Sequence, residues 1–426
     1  MKALWLTNTL MPDAARHIGQ DVPRGSGWWM SSLLDRLKQR RDVELAVVTA
    51  WGAGAKSDCR FTHDKVTYFV TKTPARQVLF SRLGFDAAWH PSRRQLVEFA
   101  SIVNEWNPDI VHVHGTEMDY GLIKSRGLVA KPMAVSIQGL MAPCARKAFG
   151  DLLPEELYGT IRGLVRPLRH CLKQSRWFRC RIPLEEEILK SADMVFGRTE
   201  FDKAWAWAYN SSVIYRHVNE LMRSEFLDAA PWSLQSCQKH RIFCTSGNQP
   251  LKGLHVLVEA VHRLRQIYQD IELNVASNGF VPHFQSDYAR FVKRQIEKWK
   301  LAGVVTFLGY LDANGLIEQL KQANCYVTPS FIENGCNALQ EAMLVGTPCV
   351  ATLSGGLLTT IDPGTTGMAF PVGDAALLAW QIAKIFDNDS LASQLGRQAR
   401  VVARERHNPA RVEEQLLNAY NELATL

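Results

Sequence analysis

The stretch Ser330-Phe-Ile-Glu-Asn-Gly-Cys-Asn-Ala-Leu-Gln-Glu-Ala-Met343 carries two carboxylates, Glu333 and Glu341, eight residues apart. Apolar residues before it predict the end of a buried strand, and Glu-Asn-Gly predicts a turn into a helix over Asn337–Val345 that Gly346 ends. Backbone N–H groups and the dipole at a helix N-terminus favour an anion such as a diphosphate. Carboxylates beside that anion suit a ligand that also presents hydroxyls, as a nucleotide-sugar does.

Length and composition indicate a globular protein of two domains. The chain has 426 residues, of which 46% are hydrophobic and 21% charged. No run approaches the ~20 apolar residues of a membrane-spanning helix, and the first residues are too short an apolar run for a signal peptide. The nine cysteines show no C-x-x-C spacing, so we expect free thiols in a cytoplasmic protein, with no metal site and no cofactor.

The net charge of +7 arises from one segment near residues 160–181. Five of its basic residues lie on one helix face because they are spaced by four, three, four and three: Arg162, Arg166, Arg169, Lys173 and Arg176. Such a face fits an anionic membrane surface, and it equally fits a solvated face over a core-packing stripe. Nucleic acid is not an expected partner, because the basic segment is short and no binding motif accompanies it.

Short apolar runs separated by helical patterns predict parallel strands in doubly wound sheets. The first half shows them at residues 3–7, 43–49, 110–114, 134–137 and 194–197. The pattern restarts near His240, with runs at 242–244, 271–276, 304–308, 325–328 and 349–352. We therefore predict an α/β protein of two Rossmann-like domains, residues 1–225 and 239–405, facing one another across a cleft. A helix over 406–426 would pack back toward the first domain, and ligands would bind at the carboxyl ends of the strands.

The second half also carries a series of motifs: Gly309-Tyr-Leu, Pro329-Ser-Phe-Ile-Glu, Glu341-Ala-Met-Leu-Val-Gly-Thr-Pro-Cys-Val, Gly355-Gly and Gly364-Thr-Thr-Gly-Met. On these residues the chain resembles the retaining glycosyltransferases of family 4, which have the GT-B fold. The resemblance implies metal-independent transfer of a hexosyl-type sugar from a nucleotide-diphosphate sugar to a hydroxyl. A UDP-sugar donor and a glycan or lipid-linked acceptor in cell-surface polysaccharide synthesis are expected.

The same resemblance assigns roles around the opening stretch. Glu333 would hold hydroxyls of the donor sugar, and Glu341 would accept hydrogen bonds from the ribose. The N–H groups of Asn337, Ala338 and Leu339 would face the phosphates. The alternative is that one glutamate caps or salt-bridges the helix while the other lies at the surface.

Lys252 in Leu251-Lys-Gly253 matches the phosphate-binding lysine of the family, which would neutralise the leaving diphosphate. A solvated lysine before a helix is the alternative. Asn248 follows Gly247 where relatives carry an arginine, and the turn is one residue shorter. An amide at this donor-binding position predicts a different phosphate geometry.

In the first half, Gly25-Ser-Gly27 resembles the loop that approaches the donor phosphates, although a plain helix start would also explain both glycines. Gln138 stands where many relatives have a histidine close to the reactive carbon of the sugar. A glutamine hydrogen-bonds but carries no proton as an acid or base, so we expect a positioning role.

His114 and Arg198 end strands and are candidates for the acceptor side. A satisfied structural histidine and an ordinary strand-end helix cap are the alternatives.

Two other functions use or fit this fold, namely a nucleotide-sugar 2-epimerase and a non-catalytic nucleotide-sugar-binding protein.

Overall fold

The computed structural model of the protein describes residues 1–22, 27–51, 58–73, 92–158, 170–277, 280 and 286–426. Gly25, Arg162, Arg166 and Arg169 lie outside these residues. The chain divides into two compact units. The first unit comprises Met1–Ala142, Arg176–Leu221 and His407–Leu426, and the second comprises Pro143–Ser175 and Met222–Arg406.

Each unit is built on its own sheet. The strands are β1 Lys2–Thr7, β2 Glu44–Trp51, β3 Cys59–His63, β4 Val66–Lys72, β5 Ile110–His114, β6 Met133–Ser136, β7 Met194–Gly197, β8 Ile214–His217, β9 Arg241–Thr245, β10 Glu272–Ala276, β11 Val305–Gly309, β12 Cys325–Thr328, β13 Cys349–Thr352 and β14 Met368–Phe370.

The α-helices are α1 Pro12–His17, α2 Trp28–Leu37, α3 Arg93–Trp106, α4 Leu122–Ser125, α5 Met141–Lys147, α6 Pro154–Tyr158, α7 His170–Ser191, α8 Glu200–Tyr209, α9 Ser224–Asp228, α10 Leu254–Leu264, α11 Asp287–Lys298, α12 Ala313–Gln322, α13 Asn337–Val345, α14 Leu357–Thr360, α15 Ala375–Asp387, α16 Asp389–Arg406 and α17 Pro409–Leu423. Single 3₁₀ turns occur at Asp119–Gly121 and Pro250–Lys252.

The first sheet has the order β3-β4-β2-β1-β5-β6-β7-β8 and is parallel except for the β3–β4 pair. Successive side chains of β1 enter two different hydrophobic clusters: Leu4 and Leu6 belong to one, Ala3 and Trp5 to the other. Because strand side chains alternate between faces, both faces of this sheet are covered. Helix α17 contributes to the second cluster, where the indole N–H of Trp5 donates to the hydroxyl of Tyr420 at 2.9 Å.

The second sheet has the order β11-β10-β9-β12-β13-β14, and all its pairs are parallel. Its central strands β12 and β13 are buried at every position, as expected for strands with helices on both faces. The prediction of two doubly wound α/β units is thus confirmed. The predicted strands 110–114, 194–197, 325–328 and 349–352 match β5, β7, β12 and β13 at both ends.

The observed units differ from the predicted domain limits mainly at one long segment. Pro143–Ser175, expected in the first domain, groups with the second unit, as do residues 222–225. There the imidazole of His255 donates from Nε2 to the carbonyl of Gly150 at 3.1 Å, and Arg294 donates to the carbonyls of Glu156 and Leu157. Hydrophobic periodicity does not tell which sheet a helix covers, so the sequence pattern could not reveal this exchange.

Candidate functional site

Lys252 and Glu333 meet at the carboxyl edge of the second sheet. Lys252 follows β9 and Glu333 follows β12, and these two strands are adjacent and parallel. The ends of adjacent parallel strands lie at the same edge, which brings the two loops together. The ammonium of Lys252 donates to Oε1 of Glu333 at 2.6 Å, and the hydroxyl of Ser330 donates to the same oxygen at 2.7 Å.

Backbone contacts fix both loops. The N–H of Phe331 donates to the carbonyl of Leu251 at 2.8 Å, and the N–H of Gly356 donates to the carbonyl of Glu333 at 2.9 Å. Gly253 has φ of +69°, and a Cβ there would lie 1.9 Å from the carbonyl oxygen of Pro329. Only glycine fits this contact, so the Lys-Gly pair places the lysine as well as starting the helix.

The ion pair favours the charged form of Lys252. The side chains are 32% exposed for Lys252 and 13% for Glu333, so part of the pair remains reachable by a ligand. Burial is the largest single influence and disfavours the ammonium, but the negative charge of Glu333 and the hydrogen bond to it act with neighbouring groups to raise the pKa of Lys252 above its ordinary value. A cation beside a half-buried carboxylate is therefore present at neutral pH.

Glu341 lies on α13 and is paired with an arginine. Its side chain is 6% exposed, and Arg223 donates to its Oε1 from Nε at 3.0 Å and from Nη2 at 2.6 Å. Burial raises the pKa of Glu341 to about 7 against the opposing charge of Arg223. The expected ribose-binding carboxylate is thus a buried ion-pair partner.

Helix α13, which carries Glu341, begins shortly after Glu333 in the sequence. Its N-cap is Cys336, whose side chain makes no capping hydrogen bond, and no acidic residue occupies the first turn. Asn337 and Ala338 are half-buried, whereas Leu339 is fully buried. Burial raises the pKa of the Cys336 thiol to about 12, so the thiol is neutral at pH 7 and leaves the positive end of the helix uncompensated.

Asn248 occupies the turn after β9, close to the N-terminus of α11. Its Oδ1 accepts a hydrogen bond from the hydroxyl of Ser286 at 2.5 Å, and Ser286 in turn caps α11 through the N–H of Ala289. The side-chain amide of Asn248 is therefore tied to a helix cap.

In the first unit, His114 ends β5 and is buried, at 1% exposure. Neither ring nitrogen has a hydrogen-bond partner among the described residues, and burial lowers the pKa of His114 to about 3. The ring lines a cavity of about 30 Å³ together with Trp29, Ser136 and Arg198. A cavity of this size holds one or two water-sized groups.

His112, two residues earlier on β5, is fully bonded instead. Tyr420 Oη lies 2.6 Å from its Nδ1 and Ser136 Oγ lies 2.7 Å from its Nε2. Because burial keeps the imidazole neutral, one ring nitrogen donates and the other accepts, so His112 bridges Tyr420 and Ser136.

Gln138 follows β6, the neighbour of β5, and is half-buried. Its Nε2 has no hydrogen-bond partner among the described residues. Gly27 is the N-cap of α2 with φ of +72°, and a Cβ there would lie 2.3 Å from Cγ2 of Thr9. Arg198 forms an ion pair with Glu220, with side chains 10% and 9% exposed, so its guanidinium is engaged within the unit.

The structure thus brings together Lys252 with Glu333, and it places Glu341, Asn248 and the start of α13 in the same unit. Gln138, His114 and Gly27 lie in the first unit. Arg223 was missed by the sequence analysis, because nothing marks an isolated arginine that precedes a short helix. Glu117 was also missed; its Oε1 accepts from Asn8 at 2.6 Å, and its backbone carbonyl accepts from Arg181 at 2.7 Å. The glycine before Thr116 was the available signal, since a Cβ on Gly115 would lie 2.3 Å from Oε2 of Glu117.

Within the described ranges, no helix is both long and apolar enough to cross a membrane. No group of three His, Cys, Asp or Glu side chains suited to a metal ion occurs in that part of the chain either. None of the nine cysteines forms a disulfide bond. Lys173 and Arg176 of the basic segment are exposed on α7, whereas Arg181 is buried, at 5% exposure.

Residues 229–402 match the family described as glycosyl transferases group 1. The glycogen synthase of Mycobacterium tuberculosis is 31% identical over 299 residues, which are 69% of this chain and 64% of that protein. The chain therefore spans slightly less than two thirds of the length of this relative. The matched family region lies inside the second unit, where Lys252, Glu333 and Glu341 are found.

Solved structures share the fold over nearly the whole chain. Sucrose-phosphate synthase from Thermosynechococcus elongatus superposes with a TM-score of 0.74 at 18% identity, over 99% of both chains. Anabaena HepE, solved in complex with UDP-glucose, gives 0.64 at 16% identity over 99% of this chain and 100% of its own. At these identities the likeness concerns the fold, which is GT-B. The family match and the fold together support a GT-B glycosyltransferase.

Proposed function

We propose that the protein is a retaining, family 4 glycosyltransferase that moves a hexosyl-type sugar from a UDP-sugar to a hydroxyl of a glycan or lipid-linked acceptor. The observation that carries this proposal is the Lys252–Glu333 pair at the carboxyl edge of the sheet that matches the group 1 family. An ammonium and a carboxylate side by side suit a ligand whose diphosphate adjoins sugar hydroxyls.

Lys252 would neutralise the charge that builds up on the leaving diphosphate, together with the N–H groups of Asn337, Ala338 and Leu339 at the start of α13. Glu333 would accept hydroxyls of the donor sugar. Both of its observed bonds fall on Oε1, so Oε2 is the oxygen turned to this use. Asn248 would contact the donor as an amide, and Glu341 would hold the ribose.

The reaction we propose is a front-face displacement. The bond from the sugar to the diphosphate breaks while the acceptor hydroxyl attacks from the same side, and a phosphate oxygen takes the hydroxyl proton. Positioning and electrostatic stabilisation then supply catalysis without a protein base or a metal. Gln138 would orient the donor sugar, Gly25 and Gly27 would admit its phosphates, and His114 and Arg198 would lie toward the acceptor.

The acceptor is proposed to belong to cell-surface polysaccharide synthesis, at the cytoplasmic side of a membrane. The exposed Lys173 and Arg176 of α7, with the further basic residues Arg162, Arg166 and Arg169, would attract anionic lipid. Nucleic acid is not a proposed partner.

The full chain incubated with radiolabelled UDP-glucose, UDP-galactose, UDP-N-acetylglucosamine or GDP-mannose tests the proposal. Label transferred to a glycan or lipid extract, or slowly hydrolysed to free sugar, supports a transferase. Epimer formation would instead show a 2-epimerase, and binding without turnover would show a nucleotide-sugar-binding protein. Chirality of the product bond, read by NMR from the anomeric coupling, tests retention separately.

A further inference from the structure

Arg223 stands where the chain enters the second unit. Met222 opens the second segment of that unit, and Arg223 is the N-cap of α9. Its guanidinium lies 4.6 Å from the ring centre of Phe226 and donates twice to Oε1 of Glu341. Stacking on a ring and two hydrogen bonds to one oxygen hold a planar guanidinium in one orientation.

A second arginine makes a comparable contact one residue away. Arg406, the last residue of the second unit, donates from Nη1 to Oε1 of Gln340 at 2.8 Å and from Nη2 to the carbonyl of Thr360 at 3.3 Å. Both arginines lie where the chain passes from one unit to the other, and both bond to side chains of α13. Only Arg223 reaches a carboxylate.

Few other charges face Glu341. Helix α9 also carries Glu225, whose negative charge raises the pKa of Glu341 slightly. From α16, Arg400 bonds the carbonyl of Leu344, and from α12, Lys321 pairs with Glu318. The strands that pack beneath α13 present Cys325, Tyr326 and Cys349, whose pKa values burial raises, so that all three are neutral at pH 7.

We propose that Arg223 is a positioning residue that keeps Glu341 ionised and oriented for the ribose of the nucleotide. The inference rests on the proposed function, because it assumes that Glu341 binds ribose hydroxyls. Both bonds from Arg223 fall on Oε1, which leaves Oε2 without a bond from Arg223. A carboxylate accepts two hydroxyls of a vicinal diol, whereas its protonated form accepts fewer and weaker hydrogen bonds.

The direction of the pH effect follows from burial. With Arg223 in place the pKa of Glu341 is about 7, so nucleotide affinity should weaken as the pH falls through neutrality. Without the cation the same burial acts unopposed, and the pKa moves higher. The loss of affinity then begins at a more alkaline pH.

The test is calorimetric titration of the full chain with UDP-glucose, with ADP-glucose as a second ribose-containing probe, from about pH 6 to about pH 8.5. Neither diphosphate titrates in this range, so the profile reports the protein. Arg223→Met should weaken binding roughly tenfold near pH 7.5 and move the midpoint upward by about one pH unit or more. Arg223→Lys keeps the charge and should give an intermediate midpoint.

Two controls separate positioning from stability. Arg406→Met removes an arginine that contacts the same helix, α13, and should lower the melting temperature without moving the midpoint. In a Glu341→Gln background the affinity should no longer vary with pH, and Arg223→Met should add little. If the wild type binds and Arg223→Met has an unshifted profile, the role assigned to Arg223 is wrong. If the wild type binds none of UDP-glucose, UDP-galactose, UDP-N-acetylglucosamine and GDP-mannose, the proposed function itself fails.

Discussion

The two units differ in how the polar side chains near the carboxyl edges of their sheets are paired. In the second unit Lys252 pairs with Glu333, Arg223 with Glu341 and Ser286 with Asn248. The first unit also has an ion pair there, between Arg198 and Glu220. At the edge of the first sheet, His114 and Gln138 keep buried nitrogen atoms without a partner among the described residues. Paired charges are held ready for a charged ligand, whereas unpaired polar atoms are a cost that a ligand or water must offset.

This contrast fits a division of labour. A diphosphate needs a cation that is charged and fixed before it arrives, and a neighbouring carboxylate supplies both conditions. A neutral imidazole offers one donor and one acceptor, which matches hydroxyl groups or water better than phosphate. Substitutions that remove polar groups from each edge, followed by measurements of activity and stability, therefore test the comparison.

The largest effect is expected from breaking the charged pair. Lys252→Met and Glu333→Gln should each lower the rate of sugar transfer on the order of a hundredfold or more, because stabilisation of the leaving diphosphate or the hold on the sugar is lost. Turnover of labelled UDP-sugar by purified variants measures this. Lys239→Met is the matched control, since Lys239 pairs with Asp389 and precedes the opposite end of β9. Full activity in either site variant would contradict the assignment.

A substitution at Gly253 tests whether the backbone at the carboxyl edge of the second sheet is held in place by close packing. Gly253→Ala should cost about 3 kcal/mol of unfolding free energy or more, because the new Cβ meets the carbonyl of Pro329 in a left-handed conformation. Gly303→Ala provides the comparison: its φ is +83°, but no atom lies within 4 Å of the added Cβ, so about 1 kcal/mol is expected. Urea denaturation measures both. Equal costs would mean that close packing against Pro329 does not hold the loop.

Smaller changes in the free energy of unfolding are expected at the carboxyl edge of the first sheet. Their sign should differ between His112 and His114. His112→Phe loses the bonds to Tyr420 and Ser136 and should destabilise the protein by about 2 kcal/mol. His114→Phe removes two unpartnered nitrogens and should leave the unfolding free energy unchanged or raise it by about 1 kcal/mol. Sugar transfer should nevertheless fall in His114→Phe if the ring contacts the acceptor. A loss of stability as large as that of His112→Phe would show that His114 is a structural residue.

Features that depend on local sequence could be predicted, whereas contacts between distant parts of the chain could not. The strands β5, β7, β12 and β13 were predicted to the residue, because buried parallel strands are continuous apolar runs bounded by turn residues. The strands β3, β8 and β14 were missed because they are short edge strands that lack that signature. Strand β4, which lies between β3 and β2, was missed as well. Glu333, Glu341 and Lys252 could be selected from motif spacing. Arg223 could not, since it meets Glu341 across 118 residues of sequence.

The smallest effect concerns the basic face of α7, which passes from one unit to the other between Ser175 and Arg176. Lys173→Ala and Arg176→Ala should each weaken binding to vesicles of anionic lipid about fivefold, since each exposed cation contributes about 1 kcal/mol near such a surface. Flotation with anionic and zwitterionic vesicles measures this, and Lys65→Ala, an exposed lysine on the β3–β4 turn, is the control. Equal losses for the two substitutions would mean that both cations contact the lipid. No dependence on anionic lipid would favour a solvated helix and an acceptor free in solution.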